Sequence, residues 1–144
     1  MYEPHVNTEF SHNITLTCLD PWGREVTVPT TLGYRSNDPY ALSMVFHSAA
    51  GDVEWIVSRT ALLQGLATSC GEGDFKVHPH VEPDGRAVVI LDFSSPDGHL
   101  VAHAESAEIQ SFLARTFVAV PVGTESDHID LDALVADLLG TASN

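Results

Sequence analysis

Hydrophobic and polar positions alternate through most of this chain. From Asn13 onward, Ile14, Leu16 and Cys18 fall on one side and Thr15 and Thr17 on the other, the period of a half-buried strand. Asp20-Pro21-Trp22-Gly23 reads as a tight turn, with Pro fixing φ and Gly free to take positive φ. Alternation resumes from Glu25 to Pro29 through Val26 and Val28, which predicts a hairpin. Ser36-Asn37-Asp38-Pro39 breaks the pattern, after which Tyr40, Leu42, Met44 and Phe46 alternate. A turn at Ala49-Ala50-Gly51-Asp52 returns the chain through Val53, Trp55 and Val57. The period then changes: Ala61 to Leu66 suits a short helix, capped by Ser58 or Thr60 and stopped beyond Thr68.

The second half follows the same order. Phe75, Val77 and Pro79 alternate with Lys76, His78 and His80, and Glu82-Pro83-Asp84-Gly85 is a turn signal. Ala87 to Phe93 is a nearly continuous apolar run, as expected of a central strand. Ser95-Pro96-Asp97-Gly98 turns the chain into Leu100, Val101, Ala102 and Ala104. Ser106 is placed to cap a helix that carries Ile109, Phe112, Leu113 and Thr116 or Phe117 on one side. After Val120-Pro121-Val122-Gly123-Thr124, a last helix is expected. Its Leu131, Leu134, Val135, Leu138 and Leu139 fall on one stripe and Gly140 sits at its C-terminal cap.

Four strands and a helix, then three strands and helices, predict an α+β fold of two antiparallel β-sheets with packed helices. The connections are too short for parallel crossovers. The expected organisation is a flexible N-terminus at 1–12, one domain at 13–140 and a C-terminal tail at 141–144.

The chain is 144 residues long, enough for one domain with a full core. Charge narrows the partners: 20 acidic against 6 basic side chains give a net −14, with a pI near 4.6. That balance excludes wrapping a phosphate backbone, which requires Lys and Arg to displace counterions, and docking on an anionic membrane surface. Residues 1–72 carry 8 acidic and 3 basic side chains, residues 73–144 carry 12 and 3, so the excess gathers in the second half. No apolar run approaches the roughly 18 residues of a membrane span, and the opening Met1-Tyr2-Glu3-Pro4-His5 has no basic-then-apolar leader. A cytoplasmic protein is expected, with Cys18 and Cys70 as thiols rather than a disulfide.

Candidate chemistry is sparse. His78-x-His80 and His99-x-x-x-His103 each place two imidazoles on one strand face. These are the solvated faces, however, and a metal site needs three or four ligands with support behind them. The acidic stretch of Glu125, Asp127, Asp130, Asp132 and Asp137 lacks the central Gly and terminal Glu of a calcium loop. Asp127 or Asp130 as a helix N-cap explains it better. Cys70, expected in a loop, is the best lone nucleophile, but no base accompanies it, and no Gly-x-Ser-x-Gly elbow or phosphate loop occurs. No enzyme, cofactor or metal is expected. Trp22, Tyr34, Tyr40, Phe46 and Trp55 suggest base stacking only in a chain able to build a positive groove, which this one is not.

Several short strings, taken in order, are more specific. Asp38-Pro39-Tyr40-Ala41, Phe46-His47, Val53-x-Trp55, Arg59 and Leu62-Leu63-x-Gly65 resemble the SsgA-like protein family of sporulating actinomycetes. Gly73-Asp74-x-x-Val77-x-Pro79, Ser95-Pro96-x-Gly98, Phe112-Leu113-x-Arg115-Thr116, Val120-Pro121-x-Gly123-Thr124-Glu125 and Asp130-x-Asp132 continue the resemblance, which spans Ile14 to Leu139. The chain departs from the family pattern at Arg59-Thr60-Ala61-Leu62-Leu63, where Arg-Asp-Leu-Leu is frequent, and at His78, where a Trp often precedes the proline.

The resemblance implies a whirly-like fold, akin to single-strand-binding proteins, assembled as a homotrimer. It implies a non-enzymatic regulator of sporulation-specific cell division. Such a protein recruits or positions FtsZ, the tubulin-like division protein, or septal wall-synthesis proteins at the septum, with FtsZ or SsgA-like paralogues as partners. A whirly-like single-stranded nucleic-acid-binding protein is the alternative, resting on fold analogy alone. The expected partner-binding residues are Pro121, Gly123, Thr124 and Glu125, since a Pro-Gly surface loop on a rigid scaffold is where recognition is displayed. Arg59 and Arg115, scarce cations at helix ends, join them.

Overall fold

The structure, a computed structural model, describes residues 8–20, 22–129, 135–136 and 138–139. The first half is an antiparallel meander of β1 (Glu9–Leu19), β2 (Glu25–Arg35), β3 (Ala41–Ser48) and β4 (Gly51–Ser58). α1 (Arg59–Gly65) follows. The second half is another meander, β5 (Cys70–Glu72), β6 (Phe75–Val81), β7 (Ala87–Ser95) and β8 (Gly98–Glu105), closed by α2 (Ser106–Ala119) and a 3-10 turn at Glu125–His128.

The α+β class and the antiparallel strands match the sequence reading; the two separate sheets do not. One eight-stranded sheet runs in the order β4-β3-β2-β1-β8-β7-β6-β5. Its halves join where β1 meets β8 through only Thr17↔His103 and Cys18↔Ala102. That seam links strands more than 80 residues apart in sequence, so no local pattern announces it. The sheet curls on itself: Phe46 of β3 and Phe93 of β7, separated by three strands in the ladder, meet edge-to-face at 5.3 Å. Trp55 and Phe75 also approach Phe93, each at 5.1 Å. The alternating residues thus fill one core, with Leu16, Leu32, Leu42, Met44, Val77 and Leu91 buried, each worth about 1.5–3 kcal/mol of transfer free energy.

Both helices cover the second half, α1 against β5 and β6 and α2 against β7 and β8. Gly65 permits the first of these contacts, because a Cβ there would collide with the methyls of Val77. α2 buries Ile109, Phe112, Leu113 and Thr116, the face its periodicity predicts.

Four sequence expectations need correction. β1 begins at Glu9 rather than near Asn13, since Phe10 packs on Tyr34 and Phe112, at 5.8 and 5.4 Å. The second half has a fourth strand, β5, three residues long and too short to show a period. Cys70 therefore lies in a strand rather than a loop, its Sγ bonded to Gln64 Oε1. Ser106 is not a cap: Glu105 takes that position, with no side-chain hydrogen bond to the helix. Of the last predicted helix, Leu131, Leu134 and Gly140 lie outside the described residues, as do Asp130, Asp132 and Asp137. Val135, Leu138 and Leu139 are exposed. Among the described residues no helix is long and apolar enough to cross a membrane.

Candidate interaction surface

α1 starts at Arg59 because Ser58, still extended, accepts a hydrogen bond from the Ala61 N–H at 3.1 Å. Arg59 thereby occupies the first helical position, with its side chain 1% exposed and directed at the C-terminal end of α2. Its Nη1 donates to the carbonyls of Thr116 at 3.1 Å and Val120 at 2.7 Å, and Nη2 donates to Glu125 Oε1 at 2.9 Å. The guanidinium carbon stands 4.4 Å from the Phe117 ring centroid and 5.4 Å from that of Tyr34. Burying a cation is costly unless it is paired and hydrogen-bonded. Here the last-turn carbonyls of α2, at that helix's negative end, act together with one carboxylate and two aromatic rings.

The cluster extends outward in two directions. The Tyr34 hydroxyl donates to the Pro39 carbonyl at 2.9 Å, tying the β2–β3 turn to the same centre. Burial pushes the Tyr34 hydroxyl above its usual range, with Arg59 pulling it back in part. On the other side, Glu125 Oε2 accepts from the Gly123 N–H at 2.8 Å. Gly123 has φ +90°, a conformation a side chain strains to adopt. Thr124 closes the turn, its N–H and hydroxyl donating to the Pro121 carbonyl at 3.1 and 2.7 Å. The Glu125 backbone N–H holds its own carboxyl below the usual carboxylate range; burial opposes this, and the Gly123 N–H and Arg59 reinforce it.

The result is a surface loop fixed from beneath. Pro121, Val122 and Gly123 face solvent, with Val122 68% exposed, while Thr124 and Glu125 are half-buried. The expected site residues Pro121, Gly123, Thr124, Glu125 and Arg59 are therefore brought together. Arg59 takes a different part from the one expected: its buried guanidinium is an anchor with no face for a partner. Arg115 stands apart, exposed on α2 with its guanidinium 4.4 Å from the Phe10 ring. Tyr34, Thr116 and Phe117 complete the anchor; the sequence marked Tyr34 only as one aromatic among several and Thr116 and Phe117 only as helix positions.

The remaining candidates disperse. His99 pairs with Asp92 at 2.5 Å, and His103 with Glu82 at 2.9 Å, its ring 6.3 Å from that of His80. Among the described residues no three His, Cys, Asp or Glu side chains gather to hold a metal ion. Cys18 is buried in the core, which pushes its thiol upward, and both cysteines are free. Asp127 lies within the 3-10 turn, whose N-cap is Thr124.

The fold is a curled antiparallel sheet with two helices, a scaffold on which a buried arginine braces the exposed loop at 121–125. Comparison with known proteins gives that scaffold a family. Residues 28–125 match the family model described as "Streptomyces sporulation and cell division protein, SsgA". The sporulation-specific cell division protein SsgB of Kineococcus radiotolerans is 40% identical over 137 residues, covering 94% of this chain and 83% of the relative. That of Streptomyces coelicolor is 38% identical over 135 residues, 93% and 98% of the two chains. Among solved structures, one described as "Mutations in SsgB correlate to longitudinal cell division during sporulation of Streptomyces coelicolor" superposes with a TM-score of 0.81 at 38% identity, covering 88% of this chain and 100% of that one. The SsgA-like sporulation-specific cell division protein of Thermobifida fusca superposes with a TM-score of 0.82 at 35% identity, covering 95% and 98%. The chain belongs to the SsgA family of sporulation and cell division proteins.

Proposed function

We propose that this protein is a non-enzymatic adaptor of sporulation-specific cell division. It acts in the cytoplasm at the division septum, where the loop 121–125 engages a division protein. The relatives named sporulation-specific cell division proteins support the process. The observation that carries the adaptor reading is the Arg59 anchor. Hydrogen bonds to Thr116, Val120 and Glu125 hold Pro121, Val122 and Gly123 outward in one conformation, so little ordering entropy remains to be lost on binding. The partners are FtsZ or an SsgA-like paralogue, met through apolar and backbone contacts rather than by long-range charge, since the net charge is −14. Assembly as a homotrimer on a whirly-like scaffold multiplies a weak contact by effective concentration; the mass to look for is three times 15.5 kDa.

The experiment is complementation of a deletion strain with fluorescent fusions, paired with pull-down of division proteins. A Val122→Asp, Pro121→Ser variant that folds normally is expected to lose septal foci and partner recovery. Normal foci and normal sporulation septation with that variant overturn the loop assignment. A deletion strain that septates normally overturns the division role itself.

A further inference from the structure

The two edges of the sheet differ. β5 ends one side with three residues, short enough to offer little to another strand. β4 ends the other with eight residues, paired to β3 without interruption from Ala41↔Ser58 to Ser48↔Gly51. Its sequence, Gly51-Asp-Val-Glu-Trp-Ile-Val-Ser58, has no proline and no lysine, and the register shows no bulge. Of the usual devices that blunt an edge it keeps only charge, at Asp52 and Glu54. Among the described residues no strand pairs with its outer side. The outer face is open at Ile56, 57% exposed, and the inner face only at Val53, 52% exposed, since Trp55 and Val57 pack into the core.

A second feature adjoins this edge. A groove of about 470 Å³ runs across the outer face of β1 to β4, next to Glu54 and Ile56. Gly33 and Ser43 form its floor, and Glu9, Asp38 and Glu54 line it against a single cation, Arg35. Glu54 is held in place by the Ser43 hydroxyl at 3.0 Å.

We propose that β4 is a strand-addition site for an extended basic segment of a partner protein, with Arg or Lys at alternate positions. Main-chain hydrogen bonds to the open edge supply affinity, and the alternate side chains supply selection. A residue opposite Glu54 or Ile56 on an added strand lies about 4.5–5.5 Å away, and a long basic side chain reaches the diagonal neighbours too. Such side chains reach Glu54, at the groove's near wall, and Asp52 on the outer face of β4, while the intervening residues lie beside Val53 and Trp55 on the inner face. A second copy of this chain suits the edge less well, because it brings Asp52 and Glu54 against the same carboxylates. The site is separate from the loop 121–125 and stands whether or not that loop binds a division protein.

The test uses the full chain and a fluorescein-labelled peptide of strand length with Arg and Val alternating. Controls replace Arg by Glu, or place a proline at the centre. Anisotropy at low salt is expected to show saturable binding of the Arg/Val peptide that weakens as salt rises. Each control is expected to bind at least about tenfold more weakly. Glu54→Lys, with an unchanged thermal midpoint, is expected to weaken binding by a similar factor. Equal binding of the proline-interrupted peptide overturns strand addition, and equal binding of the Glu peptide or indifference to Glu54→Lys overturns the basic partner. Self-association that Glu54→Lys disrupts and that the Arg/Val peptide fails to dissociate assigns the edge to a second copy and overturns the proposal.

Discussion

The Arg59 guanidinium and the Glu125 carboxylate, 66 residues apart in sequence, meet at 2.9 Å beneath the surface. Arg59 lies at the first turn of α1 and Glu125 at the start of the 3-10 turn beyond α2. Their contact fixes the geometry of everything between Val120 and Glu125, and the carbonyls of Thr116 and Val120 share the same guanidinium.

Arg59→Ala leaves those two carbonyls without their donor and opens a void against Phe117 and Tyr34. A loss of about 3–5 kcal/mol is expected, read as a lowered urea midpoint. Arg59→Lys keeps the charge without the fork that reaches three acceptors, and is expected to recover less than half of that loss. Wild-type stability of Arg59→Lys rejects the forked geometry as the source of the effect.

Glu125 gives the loop a pH dependence. Its folded carboxyl lies below the ordinary value of 4.5, so it binds protons less readily folded than unfolded. The associated stability is present above about pH 4.5 and is lost as pH falls through the depressed folded value. Tryptophan fluorescence or circular dichroism followed from pH 6 to 2 is expected to show wild type losing more stability than Glu125→Gln. Parallel acid profiles contradict the linkage.

Gly65→Ala places a methyl against Val77, and overpacking of about 1–3 kcal/mol is expected. Val77→Ala by itself opens a cavity and also destabilises. The double variant is expected to be more stable than the sum of the two losses, because the new methyl occupies vacated space. A double-mutant cycle from chemical denaturation measures that coupling, and strict additivity removes the close α1–β6 approach from the account.

Single-stranded nucleic acid is expected to bind no tighter than micromolar at low salt. Of the aromatic rings, Tyr34 and Phe46 are buried, and exposed Trp22 already has the Arg24 guanidinium 5.4 Å from its ring. Anisotropy with labelled oligonucleotides measures this directly; saturation at nanomolar protein contradicts it.

The alternation of Leu16, Leu42, Met44, Val57 and Val77 made strands of both halves legible, because one face of each is buried and the other wet, and the apolar run through Leu91 marked β7. The α1 cap at Ser58 and the buried face of α2 were readable for the same local reason. What escaped depends on distance along the chain. The β1–β8 seam pairs residues more than 80 positions apart, so local alternation shows two meanders and not the single sheet they form. Ser106 satisfied the composition of a cap, yet the chain turned helical one residue earlier. Arg59 was recognisable as a scarce cation at a helix start. Its carboxylate was not, because several acidic residues in the same region offered the same local signal.

The seam between β1 and β8 sets an order of events. Each meander forms from neighbouring hairpins and closes only short loops, whereas Thr17↔His103 and Cys18↔Ala102 must close loops of 86 and 84 residues. Zipping of the halves is therefore expected late in folding, once Phe93 has drawn Phe46 and Trp55 across the core. In the native protein the same line is where amide exchange is expected to find two cooperative units rather than one, parting along a two-pair stitch.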